Sequence, residues 1–402
     1  MKLILFLLCS LSLYASNPNP DLLDYQARYS FCHEKSNIKI AECLLSGNLD
    51  YSHFSGEKFP RRLIDRKAFS RSNAYRYVLR LLPKTRRYLG LRHYLDYLYS
   101  IKDAYRPPRF RGDKKEDIVR IKKIFNLLRR KKIAVDPLYT QEFVDALKWY
   151  QSTHGLPVDG RLGRATKRSL KHSIGSIILK VKKNLVLESL AYRKPVTYIL
   201  VNIPEFKMHF YRNGKPILEM KVITGKTKLK TPVFHRNMQY VVLNPRWVVP
   251  DSIYKKEYAH KSKSYLKRHH FAFDSNGHLY QKPGRKNSLG VVKFLFPNGF
   301  NVYMHDTPTK RLFNRNVRAF SHGCIRLQKP LSLLKTLGYS YAPGKTKWIP
   351  LKRTIPVYIE YHTVWVDDRG VVQFRPDIYG YERSLFPSSV HKRKRSNILD
   401  IF

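Results

Sequence analysis

The sequence is poor in acidic residues and cysteines, and no long apolar run follows its first segment. Its 402 residues hold 29 Asp and Glu against 77 Lys and Arg, a net charge of +48. No later run approaches the roughly 20 apolar residues that a membrane-spanning helix needs. The His-Glu-x-x-His pattern of many zinc peptidases is absent. A hydrophobic content of 43% is typical of a folded protein, and the length predicts two or three domains.

The first segment predicts export. Lys2 is followed by apolar and hydroxyl residues up to Tyr14 and then by Ala15, which are the parts of a secretory signal peptide. We expect a signal peptide over residues 1–15 and a periplasmic location. An uncleaved anchor is the alternative, although the apolar core of about a dozen residues is short for a membrane span. Cys9 follows Leu8 rather than a small residue, so no lipid attachment is expected there.

An excess of positive charge this large would ordinarily indicate nucleic acid as the partner. Export argues against nucleic acid, because the polyanions outside the cytoplasm are the cell wall, with its stem-peptide carboxylates, and anionic lipid head groups. We interpret the charge as retention at the wall or peripheral contact with an anionic membrane. A generally basic proteome is the alternative.

Removal of the signal peptide would leave Cys32, Cys43 and Cys324, an odd number for an oxidising compartment. Cys32 and Cys43 are close in sequence and are the predicted disulfide. Cys324 would then be a free exported thiol, and reactivity is the commonest reason for one.

Patterning along the chain predicts a multidomain α+β protein. Apolar residues at helical spacing predict a helical N-terminal scaffold region, three short helices and a linker helix, and alternating residues then predict a β-rich domain of antiparallel sheets. The predicted units are a scaffold at 16–112, a three-helix domain at 113–172, a linker at 173–195, a β-rich domain at 196–385 and a basic tail at 386–402.

Strands are predicted at 197–203, 207–211, 216–224, 239–243, 291–296, 301–304, 356–361 and 363–366. Asn213-Gly214 is a tight hairpin turn between the second and the third of them. Residues 252–278 form a Lys- and His-rich insertion without clear strands. Its length suits a lid over a site, and a solvated surface loop is the alternative.

The residues with the clearest chemistry are His305 and Cys324. A free cysteine is only a few per cent ionised at neutral pH, so a nucleophilic thiol needs a neighbouring base. His305 ends a predicted strand, and the following loop is long enough to bring Cys324 back beside it. Gly323 would let the backbone approach a carbonyl carbon, with the amides of Gly323 and Cys324 directed at the oxyanion.

Two segments resemble known families. Residues 143–170, "FVDALKWYQSTHGLPVDGRLGRATKRSL", resemble the small three-helix peptidoglycan-binding domain of wall enzymes. The pattern from His305-Asp306 to "SHGCIR" resembles the signature of the YkuD-type L,D-transpeptidase catalytic domain. Matches such as "NPRWVVP" and "RPDIYGYE" extend that resemblance over residues 198–382. Together the two domains resemble the large YcbB-type subclass.

The resemblance implies a role for each motif residue. Cys324 would be the nucleophile, His305 the general base and later acid, and the carbonyl of Asp306 the group that orients the imidazole. Ser321 and His322 would shape the pocket, and Trp247 and Tyr303 would line the cleft. Arg326 would either bind a carboxylate or act as a structural brace. No cofactor and no metal are expected.

The expected reaction is acyl transfer from a tetrapeptide stem, with release of D-Ala and formation of a 3→3 cross-link between stems. The expected partners are therefore stem peptides and glycan strands, with a role in cell-wall biogenesis and cell shape, and carbapenems should acylate the thiol. An L,D-carboxypeptidase with the same residues is the nearest alternative. A zinc peptidase using His305, His322 and Cys324 and a wall-binding protein with a dead site are the more distant ones.

Overall fold

The computed structural model describes residues 19–46, 64–110, 114–129, 131–191 and 193–386. The predicted signal peptide and nearly all of the predicted basic tail lie outside these residues. Within them, no helix has the length and apolar character required to cross a bilayer.

The first half of the chain is helical. Side-chain caps fix several helix starts: Asn19, Thr85, Thr140 and Ser173 each accept a hydrogen bond from the first turn of their helix. The helices are α1 (Pro20–Tyr29), α2 (Asn37–Ser46), α3 (Arg66–Ser70), α4 (Ala74–Leu81), α5 (Arg86–Ser100), α6 (Lys114–Leu128), α7 (Gln141–Thr153), α8 (Arg164–Leu170) and α9 (Ile174–Leu190). Three helices, α6 to α8, are thus present in the unit predicted at 113–172, and α9 lies within the linker predicted at 173–195.

The second half is built on strands. They are β1 (Tyr198–Asn202), β2 (Lys207–Arg212), β3 (Lys215–Gly225), β4 (Phe234–Leu243), β5 (Trp247–Val248), β6 (Phe271–Phe273), β7 (Leu279–Gln281), β8 (Val292–Leu295), β9 (Met304–His305), β10 (Ala319–Ser321), β11 (Ile325–Leu327), β12 (Lys347–Glu360), β13 (Val364–Val366) and β14 (Val372–Phe374). Among the described residues of this half there are also a 3-10 helix (Lys310–Asn314) and the short α-helices α10 (Asp251–Ile253), α11 (Lys263–Arg268), α12 (Pro330–Thr336) and α13 (Tyr381–Leu385).

Nine strands form the main sheet, in the order β10-β3-β11-β9-β8-β4-β12-β1-β2, and β2 also pairs with β3. The sheet therefore closes on itself. It is mixed rather than purely antiparallel as predicted, because β1–β12, β3–β10 and β9–β11 run parallel. Parallel pairs need long connections, which the alternation of residues along a single strand does not reveal.

The insertion at 252–278 is a folded element, contrary to the prediction that it lacks strands. It contains α10, a π-helical turn (Tyr254–Tyr258), α11 and β6, and β6 pairs with β7, which pairs with β5. A small core of Val249, Leu266, Phe271 and Leu279 holds it together. Strands of two or three residues are too short to show an alternating pattern.

Helical and sheet regions are joined by shared packing and by buried charge. Val364 and Val366 of the β13–β14 hairpin lie in the core of the helical region. Nearby, Glu360 at the end of β12 is 2.6 Å from Lys194 and 3.6 Å from Arg87 of α5. Burial alone would raise the pKa of Glu360, but these cations and His362 hold it well below its usual range.

Cys32 and Cys43 form a disulfide between the segment after α1 and α2, as the sequence predicts, and Cys324 is free. The bridge closes a short loop, which in the chain-entropy model stabilises the N-terminal region by about 3 kcal/mol. A Cys32→Ala/Cys43→Ala variant should therefore unfold its N-terminal helices at lower urea concentration, as followed by limited proteolysis. The rate at which iodoacetamide alkylates Cys324 should not change. Labelling of all three cysteines without prior reduction would contradict the pairing.

Candidate active site

The motif residues meet where β9 pairs in parallel with β11. Ile325 lies beside Met304, and Arg326 lies beside His305. Met304 and Ile325 are fully buried in the sheet core. Because side chains alternate along a strand, His305 and Arg326 point to the opposite face, where Cys324 also belongs by the same alternation. The pairing thus places the thiol and the imidazole on one face of the sheet, diagonally across adjacent strands.

The imidazole of His305 has a fixed orientation. Its Nδ1 lies 2.5 Å from the carbonyl oxygen of Asp306. A carbonyl only accepts, so Nδ1 carries the proton and Nε2 keeps the lone pair. The ring is 5% exposed. His305 is therefore held in the tautomer that can take a proton through Nε2.

The carboxylate of Asp306 holds in place the residue whose carbonyl orients His305. It accepts hydrogen bonds from the amides of Val291 (3.0 Å) and Thr307 (2.7 Å) and from Nζ of Lys310 (2.6 Å). Gly290 has a φ of +60°, and a Cβ there would lie 2.2 Å from Asp306 Oδ2. A glycine is needed at this position because the aspartate occupies the space of a side chain.

Both reacting groups are electrically neutral at rest. Burial, with the positive charge of Arg326 as the next cause, lowers the pKa of His305 to about 3, against the opposing hydrogen bond to Asp306. Burial also raises the pKa of the Cys324 thiol, although Tyr303, Arg326 and Lys293 act in the other direction. The thiol is partly exposed in the cleft, and its Sγ lies 3.6 Å from the carbonyl oxygen of Asn301.

A network of hydrogen bonds holds the turn that carries Cys324. Ser321 is 1% exposed; its Oγ donates to the carbonyl of Cys324 (2.5 Å) and accepts from the amide of Gly323 (3.1 Å). Thr231 donates to the carbonyl of Gly323 (2.7 Å). Gly323 has a φ of +122°, in the left-handed region that favours glycine.

One sequence prediction about this turn needs correction. Ser321 is buried and holds the turn that carries Cys324, and its predicted role in shaping the pocket stays a prediction. The amide of Gly323 is already bonded to Ser321 Oγ, which leaves the amide of Cys324 as the candidate oxyanion donor.

The folded insertion reaches the motif through one carboxylate. Glu257, in the π-helical turn, lies 2.7 Å from Nε2 of His322, so His322 contacts the lid-like element rather than the interior of the pocket. Arg326 interacts electrostatically with both Glu257 and Cys324, and its Nε has no hydrogen-bond partner in the described part of the chain. A buried guanidinium nitrogen without a hydrogen-bond partner suits carboxylate binding better than a structural role.

The two aromatic residues predicted to line the cleft have different surroundings. Tyr303 interacts electrostatically with Cys324, and its ring centre lies 5.6 Å from that of His305. Trp247 instead packs in the insertion, with ring centres 6.2 Å from those of Tyr258 and Phe271.

Sequence reasoning missed Lys293, Thr231 and Glu257. Lys293 pairs in register with His305 from the other side, on β8. No signal in the sequence separates this lysine from the many others, because its position depends on strand register. Thr231 lies within the "TPVF" segment of the family resemblance, but the resemblance assigned no role to this segment.

The described residues were also considered as ligands of a metal ion. Across the described ranges, no three His, Cys, Asp or Glu side chains converge as a metal ion would require.

Two parts of the chain match known protein families. Residues 196–359 match the YkuD family, described as "L,D-transpeptidase catalytic domain", and residues 114–170 match a family described as "Putative peptidoglycan binding domain". The chain therefore carries a YkuD-type L,D-transpeptidase catalytic domain and a peptidoglycan-binding domain. The assignment to the large YcbB-type subclass stays a prediction.

A Haemophilus influenzae protein named "Putative L,D-transpeptidase" is 33% identical over 220 residues, 46% of this chain and 45% of that protein. The chain thus matches less than half the length of this relative. Among solved structures, an L,D-transpeptidase from Mycobacterium smegmatis is 15% identical, with 41% of this chain and 58% of that chain covered and a TM-score of 0.24. The E. faecium catalytic domain acylated by ertapenem is 17% identical, with coverage of 42% and 100% and a TM-score of 0.24.

Since thiol and imidazole are both neutral, alkylation of Cys324 should follow the thiolate fraction alone. With full-length protein and iodoacetamide, the rate should rise about tenfold per pH unit from pH 6 upward, as long as the pH stays below the thiol pKa. A His305→Gln variant is the matched control and should give the same slope, because His305 carries no charge in this range. A rate that is already level from pH 5 to 8 would indicate a thiolate–imidazolium pair instead.

Proposed function

We propose that this protein is a peptidoglycan L,D-transpeptidase that acts in the periplasm. The observation that carries the proposal is the parallel β9–β11 pairing, from which strand alternation puts Cys324 on the same face of the sheet as an imidazole whose Nδ1 donates to the Asp306 carbonyl. The family matches of both domains support it. Its partners would be stem peptides and glycan strands, and its product would contribute to wall integrity and cell shape.

The proposed reaction has two halves. Cys324 Sγ attacks the carbonyl between the L-centre of the third stem residue and the terminal D-Ala, while its proton passes to Nε2 of His305. His305 then gives this proton to the departing amine, and a thioester remains. An amine of a second stem attacks the thioester, its proton passes to His305, and the thiol is restored with a 3→3 cross-link. The amide of Cys324 would stabilise the oxyanion in both halves.

The direct test is incubation of the purified protein with tetrapeptide muropeptides, followed by mass spectrometry of the products. Cross-linked dimers and free D-Ala are expected from the wild type. Cys324→Ala should abolish both, because it removes the nucleophile, and His305→Ala should lower the rate by at least about 100-fold, within the range for general base catalysis. Release of D-Ala by Cys324→Ala would contradict the mechanism. Tripeptide monomers without dimers would identify an L,D-carboxypeptidase.

Retention at the wall should depend on salt if the +48 charge drives it. Exposed charges are screened beyond about 10 Å at 0.1 M ionic strength. Binding of the Cys324→Ala protein to isolated sacculi should therefore weaken steeply as the salt concentration rises from about 0.05 to about 0.5 M. An association that does not depend on salt would instead indicate a specific binding pocket in residues 113–172.

A further inference from the structure

A second cation, Lys293, faces the cleft beside His305. Its neighbours on β8, Val292 and Phe294, are fully buried in the sheet core, so Lys293 points to the same face as His305 and pairs with it in register. On that face Arg326 flanks His305 on one side and Lys293 flanks it on the other, each one strand away.

Lys293 is held in place but has no anionic partner. Its Nζ lies 5.4 Å from the ring centres of both Tyr303 and Trp348. Among the described residues, no carboxylate forms an ion pair with this ammonium group and no acceptor hydrogen-bonds it. The side chain is half-buried, and burial lowers its pKa. A fixed, partly desolvated cation without a counter-ion suits an anionic ligand.

The position of the nucleophile indicates which anion would bind to Lys293. Cys324 and Arg326 lie on the β11 side of His305, and Lys293 lies on the β8 side. In the proposed reaction the scissile carbonyl carbon sits at Sγ and the departing nitrogen sits at Nε2 of His305. The expelled residue therefore continues away from Cys324, towards β8. Its carboxylate carbon is about 2.5 Å from its nitrogen, and neighbouring strands are about 4.8 Å apart, so the carboxylate arrives within reach of Lys293.

We propose that Lys293 binds the terminal carboxylate of the residue that is expelled, and so restricts the donor to stems that end in a free acid. The inference rests on the proposed transpeptidase function. Arg326 serves the other side of the cleft, where its charge already interacts with Glu257 of the insertion. The two cations thus act on different parts of the substrate, and Lys293 selects the leaving group.

The test compares two donors with the full-length protein: a tetrapeptide with a free terminal carboxylate and the same peptide with a terminal amide. Release of D-Ala or its amide is measured by mass spectrometry as kcat/KM. Lys293→Met should lower kcat/KM for the acid roughly 10- to 100-fold, the size of one lost hydrogen bond to a charged group, and should hardly change that for the amide. Lys293→Arg should keep most of the preference for the acid. Lys352→Met, at an exposed lysine of β12, is the control for loss of charge alone.

Equal losses for both donors in Lys293→Met would reveal a structural role and overturn the inference. Equal use of the two donors by the wild type would overturn it as well, while leaving the transpeptidase function intact. Turnover of neither donor by the wild type would refute the proposed function and the inference together. If Lys293→Met melts well below the wild type, Lys293→Gln replaces it in the same comparison.

Discussion

The active site depends on one short pairing, in which β9 and β11 lie parallel in the middle of the closed sheet. Only two pairs of residues define its register, yet that register puts His305 and Cys324 on the same face. The surrounding contacts stabilise this pairing: Met304 and Ile325 are buried in the core, and Asp306, which follows His305, accepts a hydrogen bond from the Val291 amide. The hydrogen bonds of Ser321 hold the turn before β11. A slip of one residue would turn the thiol or the imidazole into the core.

Electrostatics then sets how the site works. Burial, together with Arg326 and Lys293 on the two sides of the imidazole, lowers the pKa of His305, so that the ring is neutral at rest and Nε2 keeps its lone pair. The thiol is neutral as well, so charge develops only when Cys324 attacks. The same cations are placed to attract a substrate rich in carboxylates. Glu257 of the folded insertion adds a negative charge beside His322, in the turn that carries Cys324.

The sequence predicted what rests on local pattern and missed what rests on pairing between distant segments. The α9 helix, the Asn213-Gly214 hairpin and the free Cys324 were legible from spacing, turn chemistry and cysteine count. Strand β12 begins at Lys347, well before the predicted 356–361. Pro350 interrupts the residue pattern in this earlier part, and the register of β12 with β4 shifts between Pro350 and Ile355. The fold of the insertion and the position of Lys293 depend on how separate strands pair, and the local residue pattern of one segment does not reveal that pairing.

The central claim is that Cys324 is a nucleophile prepared for acyl transfer, and covalent capture by a carbapenem tests it most directly. A strained β-lactam carbonyl needs only the activated thiol and the oxyanion amide, and ring opening leaves a thioester. Intact-mass measurement should show one added drug per chain, located on the peptide that contains Cys324 and absent in Cys324→Ser. An unmodified mass after prolonged incubation of folded, reduced protein, or an adduct on any other residue, would contradict the account.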